Sequence, residues 1–210
     1  MKSAKVLIGI GVIAVLVLVG VWANKNQQPG EVMLDSFEGP LDKKTVDFGA
    51  ADNSSLQVTA AADIKMCGAQ SLKMDYKLET GGYMWCARGY GLDVLGAVWG
   101  DADPQKIDWT KYDAIGFSVY GNKNGVVAFD VKDSGGEIYR YMVNVDFSGW
   151  KEIVIPFAQF KVREDWQPSS AQKNKTLDFP IKSFQWEPKV VGQGTLYVDC
   201  VKVLKMPSKP

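Results

Sequence analysis

IDWTKYDAIGFSVYGNKNGVVAFDVKDSGGEIYRYMVNVDFSGWKEIVIPFAQF, residues 107–160, decides the fold of this chain. In it Ile115, Phe117 and Val119 alternate with Ala114, Gly116, Ser118 and Tyr120. Successive Cβ atoms of a strand point to opposite sides of a sheet, so a period of two marks a strand with one apolar and one mixed face. Gly121, Asn122, Lys123, Asn124 and Gly125 then read as a loop. Val127, Phe129 and Val131, alternating with Ala128, Asp130 and Lys132, give a second strand. Asp133, Ser134, Gly135 and Gly136 are residues that tolerate tight turns, and they end it.

The rest of the chain repeats this pattern. Residues 55–60, 68–76 and 81–88 read as strands, and so do 150–157 (with Pro156 as a stop), 182–187 and 195–204. Gly91, Gly96 and Gly100 argue for a loop-rich excursion over residues 89–111, and residues 162–178 form a polar loop. Short strands with almost no helical period predict an all-β fold, a two-sheet antiparallel β-sandwich. Neither an internal repeat nor a second domain is read.

At 210 residues and 46% hydrophobic content the chain can bury one substantial core. Its 24 basic and 24 acidic residues cancel, and no basic stripe points to nucleic acid. Histidine is absent, which excludes a Ser-His-Asp triad, a Cys-His dyad and a His-bearing zinc site. Carboxylate-only catalysis survives that filter, but no catalytic cleft domain or matched acid pair is read.

Residues 1–5 carry Lys2 and Lys5, and residues 6–23 run without a charge. That length lies between a signal-peptide core and a bilayer span, so residues 1–23 are read as a signal peptide or an N-terminal membrane anchor. Residues 24–31 are a polar linker, 32–205 the folded domain and 206–210 a tail. The expected location is extracytoplasmic, periplasmic or at the cell surface, with the membrane as a partner if the segment is retained.

Several turn and strand signatures carry a family resemblance. They are Asp35-Ser36-Phe37-Glu38-Gly39, Gly68-Ala69-Gln70-Ser71-Leu72, Gly81-Gly82-Tyr83, Asp108-Trp109-Thr110-Lys111-Tyr112, Gly149-Trp150-Lys151 with Ile155-Pro156-Phe157, and Gly194-Thr195-Leu196-Tyr197-Val198-Asp199. In this order they resemble the family 11 carbohydrate-binding modules, and the domain of complex I intermediate-associated proteins is similar. The resemblance implies a galactose-binding-like jelly roll with a glycan site on its concave sheet. It also makes Trp109, Trp150, Phe184 and Trp186 core or framework residues.

Sugar rings are met by exposed aromatic rings on their C–H faces and by carboxylates, amides and guanidinium groups on their hydroxyls. If Val127, Phe129 and Val131 point inward, Asp130 points out. Placing Tyr139, Tyr141 and Val143 opposite Val131, Phe129 and Val127 brings Arg140 beside Asp130, flanked by Met142 and Tyr120. A slip of one residue exchanges Arg140 for Tyr139 and Tyr141, so Tyr139 stays a candidate. The expected ligand-binding residues are Tyr83, Ser118, Tyr120, Asp130, Tyr139 and Arg140. An Asp130–Arg140 surface ion pair with no ligand role stands beside that reading. Trp85 is read as core, and Trp99 and Trp166 as pinning their loops.

The resemblance further implies a structural Ca²⁺ between Glu38 and Asp199. Cys200 replaces the second acid of the family's closing pair, so Asp63 or Asp35 would have to compensate. Cys67, Cys86 and Cys200 leave three choices of one disulfide, or three buried thiols. The function expected is non-catalytic binding of a polysaccharide, and the alternative is a protein-interaction or assembly module of the cell envelope on the same fold.

Overall fold

Alternating side chains build two antiparallel sheets in a computed structural model that describes residues 30–207. The strands are β1 (Glu31–Asp35), β2 (Asp47–Ala51), β3 (Ser55–Ala61), β4 (Ser71–Leu78), β5 (Tyr83–Gly89) and β6 (Ala114–Asn122). They continue with β7 (Gly125–Lys132), β8 (Ile138–Val145), β9 (Ser148–Pro156), β10 (Lys161–Val162), β11 (Ser183–Pro188) and β12 (Gly192–Leu204). One sheet runs β3-β4-β12-β6-β9, with β1 also paired to β12, and the other runs β10-β8-β7-β11-β5-β2. This is the expected two-sheet sandwich.

The core lies between the sheets. Phe117 of β6 meets Phe129 of β7 with ring centroids 4.5 Å apart, and Trp186 of β11 packs on Phe37, Phe117, Phe129 and Phe184. Burying such rings at about 25 cal/mol per Å² is the main favourable term holding the two layers together. A buried ion pair crosses the same space. Asp35 Oδ2 accepts from Arg88 Nε at 2.7 Å, and Arg88 also donates to the Thr45 carbonyl. Burial pushes the Asp35 carboxyl above the ordinary range, and Arg88 pulls against that. Removing either partner alone would strand a buried charge.

One expectation about neighbours is corrected here. Strands β6 and β7 follow each other in sequence but do not pair: β6 lies between β12 and β9, and β7 lies between β8 and β11. The two-residue connection of Lys123 and Asn124, shorter than the loop expected over residues 121–125, therefore crosses from one sheet to the other. Tyr120 and Ser118 stand on the outer face of the first sheet, on the far side of the core from Asp130, and Tyr120 does not flank it. Tyr120 instead sits edge-to-face between Tyr197 and Trp150, and so Trp150 belongs to this outer face and not to the core.

The three cysteines resolve into one disulfide, Cys67–Cys200, and one buried free thiol, Cys86. Residues 89–111 hold two short 3-10 turns (Pro104–Lys106 and Trp109–Lys111) within a loop, and Trp99 pins that loop by stacking on Phe184 and donating to the Arg88 carbonyl. The segment read as a signal or anchor, residues 1–23, lies outside the described residues. No helix among those described is long and apolar enough to cross a membrane.

Candidate functional site

Strand register decides what the outer face of the second sheet presents. Asp130 pairs with Arg140, Val131 with Tyr139, Phe129 with Tyr141 and Val127 with Val143, as the inward apolar residues require. Lys161, Arg140, Asp130, Gln185, Ala87 and Asp47 consequently form one row across the six strands. Two residues along each strand, Met142, Ala128 and Glu187 form the next row, which continues to Trp85 and Gly49.

The centre of this face is a closed polar network. Asp130 Oδ1 accepts from Arg140 Nε at 2.7 Å, and its Oδ2 accepts from Arg140 Nη2 at 2.8 Å, a bidentate pair. Arg163 Nη1 and Gln185 Nε2 also reach Oδ2, at 3.1 and 3.2 Å. Glu187 accepts from Arg140 Nη2, Arg163 Nη1, Gln185 Nε2 and Lys189 Nζ, each at 2.7 Å. Asp165 closes the far side against Arg163 Nε at 2.9 Å. Asp130 is only 1% exposed although it faces outward, because these partners cover it.

Three acids (Asp130, Glu187, Asp165) and three bases (Arg140, Arg163, Lys189) make the cluster neutral. Burial pushes the Asp130 carboxyl up, Arg140 holds it down, and Glu187 adds to the upward push. For Arg140, burial works against the charge, but the hydrogen bonds it donates to Asp130 prevail and keep the guanidinium firmly protonated. Arg140 Nη1 has its nearest acid oxygen, Asp165 Oδ2, at 3.7 Å, and the Gln185 Oε1 accepts no bond among the described residues. One donor and one acceptor thus remain for a ligand.

Aromatic rings flank the network on both sides. Tyr83, 53% exposed, stacks on Trp85 at 6.1 Å and 21°. Trp85 lies flat over Gly49, where an added Cβ would stand 2.5 Å from the ring, and its Nε1 donates to Asp47 Oδ1 at 3.0 Å. Trp85 is therefore half-buried on the outer face and not a core residue. On the other side Trp166 is 55% exposed beneath the Arg163 guanidinium, 5.6 Å from the ring centroid. Trp166 therefore stands open at the edge of the face and does not pin its loop. Over β8 and β10, at the Trp166 side of the network, a groove of about 750 Å³ is lined by Arg140, Met142, Gln159, Lys161, Arg163 and Asp165.

Of the expected ligand residues, the structure brings Tyr83, Asp130 and Arg140 to this face. It separates Ser118 and Tyr120 from it, because they belong to the other sheet. Tyr139 is corrected as well: with no register slip it points inward, is 3% exposed, and donates to Glu137 Oε2 at 3.0 Å. Sequence reasoning missed Gln185, Glu187, Arg163 and Trp166. Gln185 and Glu187 were legible, since they alternate with Phe184 and Trp186. Arg163 and Trp166 follow a two-residue strand that leaves no periodic signal.

The Glu38–Asp199 pair does not offer the oxygen cage of a calcium ion, which takes six to eight ligands. Asp199 Oδ2 accepts from the Met66 and Cys67 amides at 2.7 and 3.0 Å, and Oδ1 accepts from the Cys200 amide at 2.8 Å. Glu38 Oε1 is bound by the Ala69 amide at 2.7 Å. Asp35 is committed to Arg88, and the thiols beside Asp199 are joined to each other. Burial raises the Asp199 carboxyl to about 6, against the pull of its three amide donors.

Comparison with known proteins bears on this arrangement. The family model described as "Carbohydrate binding domain (family 11)" matches residues 24–206. Endoglucanase H of Acetivibrio thermocellus is 30% identical over 190 residues, which are 86% of this chain and 19% of that protein. A mannan endo-1,4-beta-mannosidase of Bifidobacterium adolescentis is 24% identical over 160 residues, 73% of this chain and 14% of that protein. The chain thus spans about a fifth or less of these curated relatives. Among solved structures, a family 11 carbohydrate-binding module from Clostridium thermocellum, in complex with a beta-1,3-1,4-mixed-linked tetrasaccharide, superposes with a TM-score of 0.65. It is 24% identical, over 86% of this chain and 98% of that one. A family 30 carbohydrate-binding module shares the fold at a TM-score of 0.50 and 13% identity, over 90% of this chain and 92% of that one.

Proposed function

Since the chain belongs to the family 11 carbohydrate-binding domains, we propose that the outer face of its β10-β8-β7-β11-β5-β2 sheet binds a neutral β-linked polysaccharide without cleaving it. The observation that carries this reading is the neutral carboxylate–guanidinium network flanked by outward aromatic rings. Adjacent strands lie about 4.8 Å apart, so Trp85 on β5 and Arg140 on β8 are roughly 14 Å apart, a span for several sugar rings. Tyr83, Trp85 and Trp166 supply apolar faces for stacking, and Arg140 Nη1 and Gln185 Oε1 supply hydroxyl contacts.

The paired centre favours a neutral chain over a uronate polymer, because no guanidinium is left unpaired for a carboxylate and the Lys161 charge in the groove is offset by Glu164 in the same lining. The mixed-linked tetrasaccharide held by the solved relative and the mannan named for a curated one are the first ligands to try. A location outside the cytoplasm is supported by the Cys67–Cys200 disulfide, which persists in oxidising compartments.

Affinity electrophoresis through gels containing mixed-linkage β-glucan, mannan or polygalacturonate tests the ligand class. Retardation in a neutral polymer and free migration in polygalacturonate is the expected result. Free migration in all three, with an envelope protein captured instead, supports the assembly reading. Release of sugar by the purified domain contradicts the non-catalytic one.

A further inference from the structure

One hollow lies away from the aromatic face, at an end of the sandwich. It measures about 170 Å³ and is lined by Tyr76 of β4, Lys123 and Asn124 between β6 and β7, Val190 between β11 and β12, and Gln193 and Thr195 of β12. At the roughly 30 Å³ that each water takes in the liquid, this is space for about six waters. That is the bulk of one pyranose ring, well short of the groove on the sheet face.

Two glycines set where the walls of the hollow stand. Gly194 stands opposite Tyr76 in the β12–β4 register, and a Cβ there would lie 2.5 Å from the Tyr76 hydroxyl. Gly125, at φ +76°, lets Val190 pack against bare backbone, where a Cβ would come within 2.6 Å of it. Val190 and Val191 are thereby held at the rim, 47% and 55% exposed.

Its polar groups are partly unspent. Tyr76 is 7% exposed; its hydroxyl accepts from Asn124 Nδ2 at 3.0 Å and donates to no group among the described residues. Asn124 is fixed by a second bond from Nδ2 to the Thr195 carbonyl, at 3.0 Å, and by the Asn122 amide donating to its Oδ1 at 2.7 Å. The Lys123 ammonium makes no bond among the described residues, while Gln193 lends only its backbone, its side chain lying with Lys77 on the other face of β12. A buried donor aimed into a hollow is left unmatched until an acceptor arrives.

We infer that this hollow is a second carbohydrate site, which takes a single neutral hexopyranose at the end of a chain. A pyranose ring fits both walls: its C–H face meets Val190 and Val191, and its hydroxyls meet Tyr76 and Lys123. One lone cation in a pocket without arginine is a weak match for an anion. The inference rests on the proposed polysaccharide binding for its ligand class but on a separate set of residues. Two sites on one domain raise retention on a long polymer through effective concentration, without strengthening either contact.

The test is an NMR titration of the full chain, using the mixed-linked tetrasaccharide and glucose as probes. The Trp85 indole reports the sheet face, and the Val190 and Val191 methyls with the Asn124 side-chain amide report the hollow. Both sets of signals are expected to shift in the wild type, and the hollow's set is expected to shift still in Trp85→Ala. Tyr76→Phe should move the midpoint of the hollow's set to roughly tenfold more sugar, the worth of one neutral hydrogen bond, with the indole response unchanged. Lys123→Met, which keeps the stem of an exposed side chain and removes its ammonium, should weaken the same set. Shifts confined to the indole overturn the second site and leave the sheet-face reading standing. Shifts at the valines alone sustain the second site and overturn the sheet face, and no shift at either overturns both.

Discussion

The Tyr139 hydroxyl donates to Glu137 Oε2 at 3.0 Å within the core, while Arg140, one residue on, clamps Asp130 on the opposite side of the same strand. The two fates follow from the period of two, and they separate experimentally. Tyr139→Phe removes a partner from the buried Glu137 carboxylate, and we expect it to lower stability by about 1 kcal/mol in urea unfolding. Polysaccharide affinity in the same variant should be unchanged. Asp199 gives a second residue-scale prediction. Burial raises its folded pKa to about 6 from an ordinary 3.8, so the folded state holds its proton more tightly than the unfolded one. The stability tied to that proton is fully present below pH 3.8 and is lost as pH rises through about 6. Asp199→Asn should remove this part of the stability decline across that window, as read by thermal unfolding at a series of pH values.

At the scale of elements, alternation located nearly every strand and even the β7–β8 register, because inward apolar residues leave each strand one acceptable face. Alternation carries no information on which sheet a strand joins, so it places Tyr120 beside Asp130 and Ser118 on the same site, whereas β6 crosses to the other layer. Strand β2 (Asp47–Ala51), rich in Gly and Ala, shows too little β propensity to be read, yet its Gly49 is what allows Trp85 to lie flat on the outer face. A bulge in β12 between Asp199 and Lys202 is equally silent in sequence; there Cys200 takes φ +52° and reaches Cys67. That disulfide spans 133 residues, and together with the amides on Asp199 it fastens the loop before β4 to β12. Cys67→Ser with Cys200→Ser should cost about 2–5 kcal/mol of stability. Glycan affinity should persist at temperatures where the variant is folded, because the loop lies on the first sheet and not on the binding face. A chelator should leave the melting temperature where it was, since the donors around Asp199 are amides.

Across the whole molecule, the sandwich works as a rigid frame between two different outer faces. One carries Tyr120 wedged between Tyr197 and Trp150, rings that satisfy each other. The other carries a neutral polar network with rings turned outward at both edges. A neutral site binding a neutral polymer involves no net charge attraction, so raising salt should change the dissociation constant by less than about twofold. The central claim is that binding happens on the second face, and calorimetric titration of the mixed-linked tetrasaccharide into wild type, Trp85→Ala, Arg140→Ala and Tyr120→Ala measures it directly. The account predicts at least a roughly tenfold loss in the first two variants and wild-type affinity in Tyr120→Ala. Loss in Tyr120→Ala, with Trp85→Ala and Arg140→Ala unaffected, would contradict it.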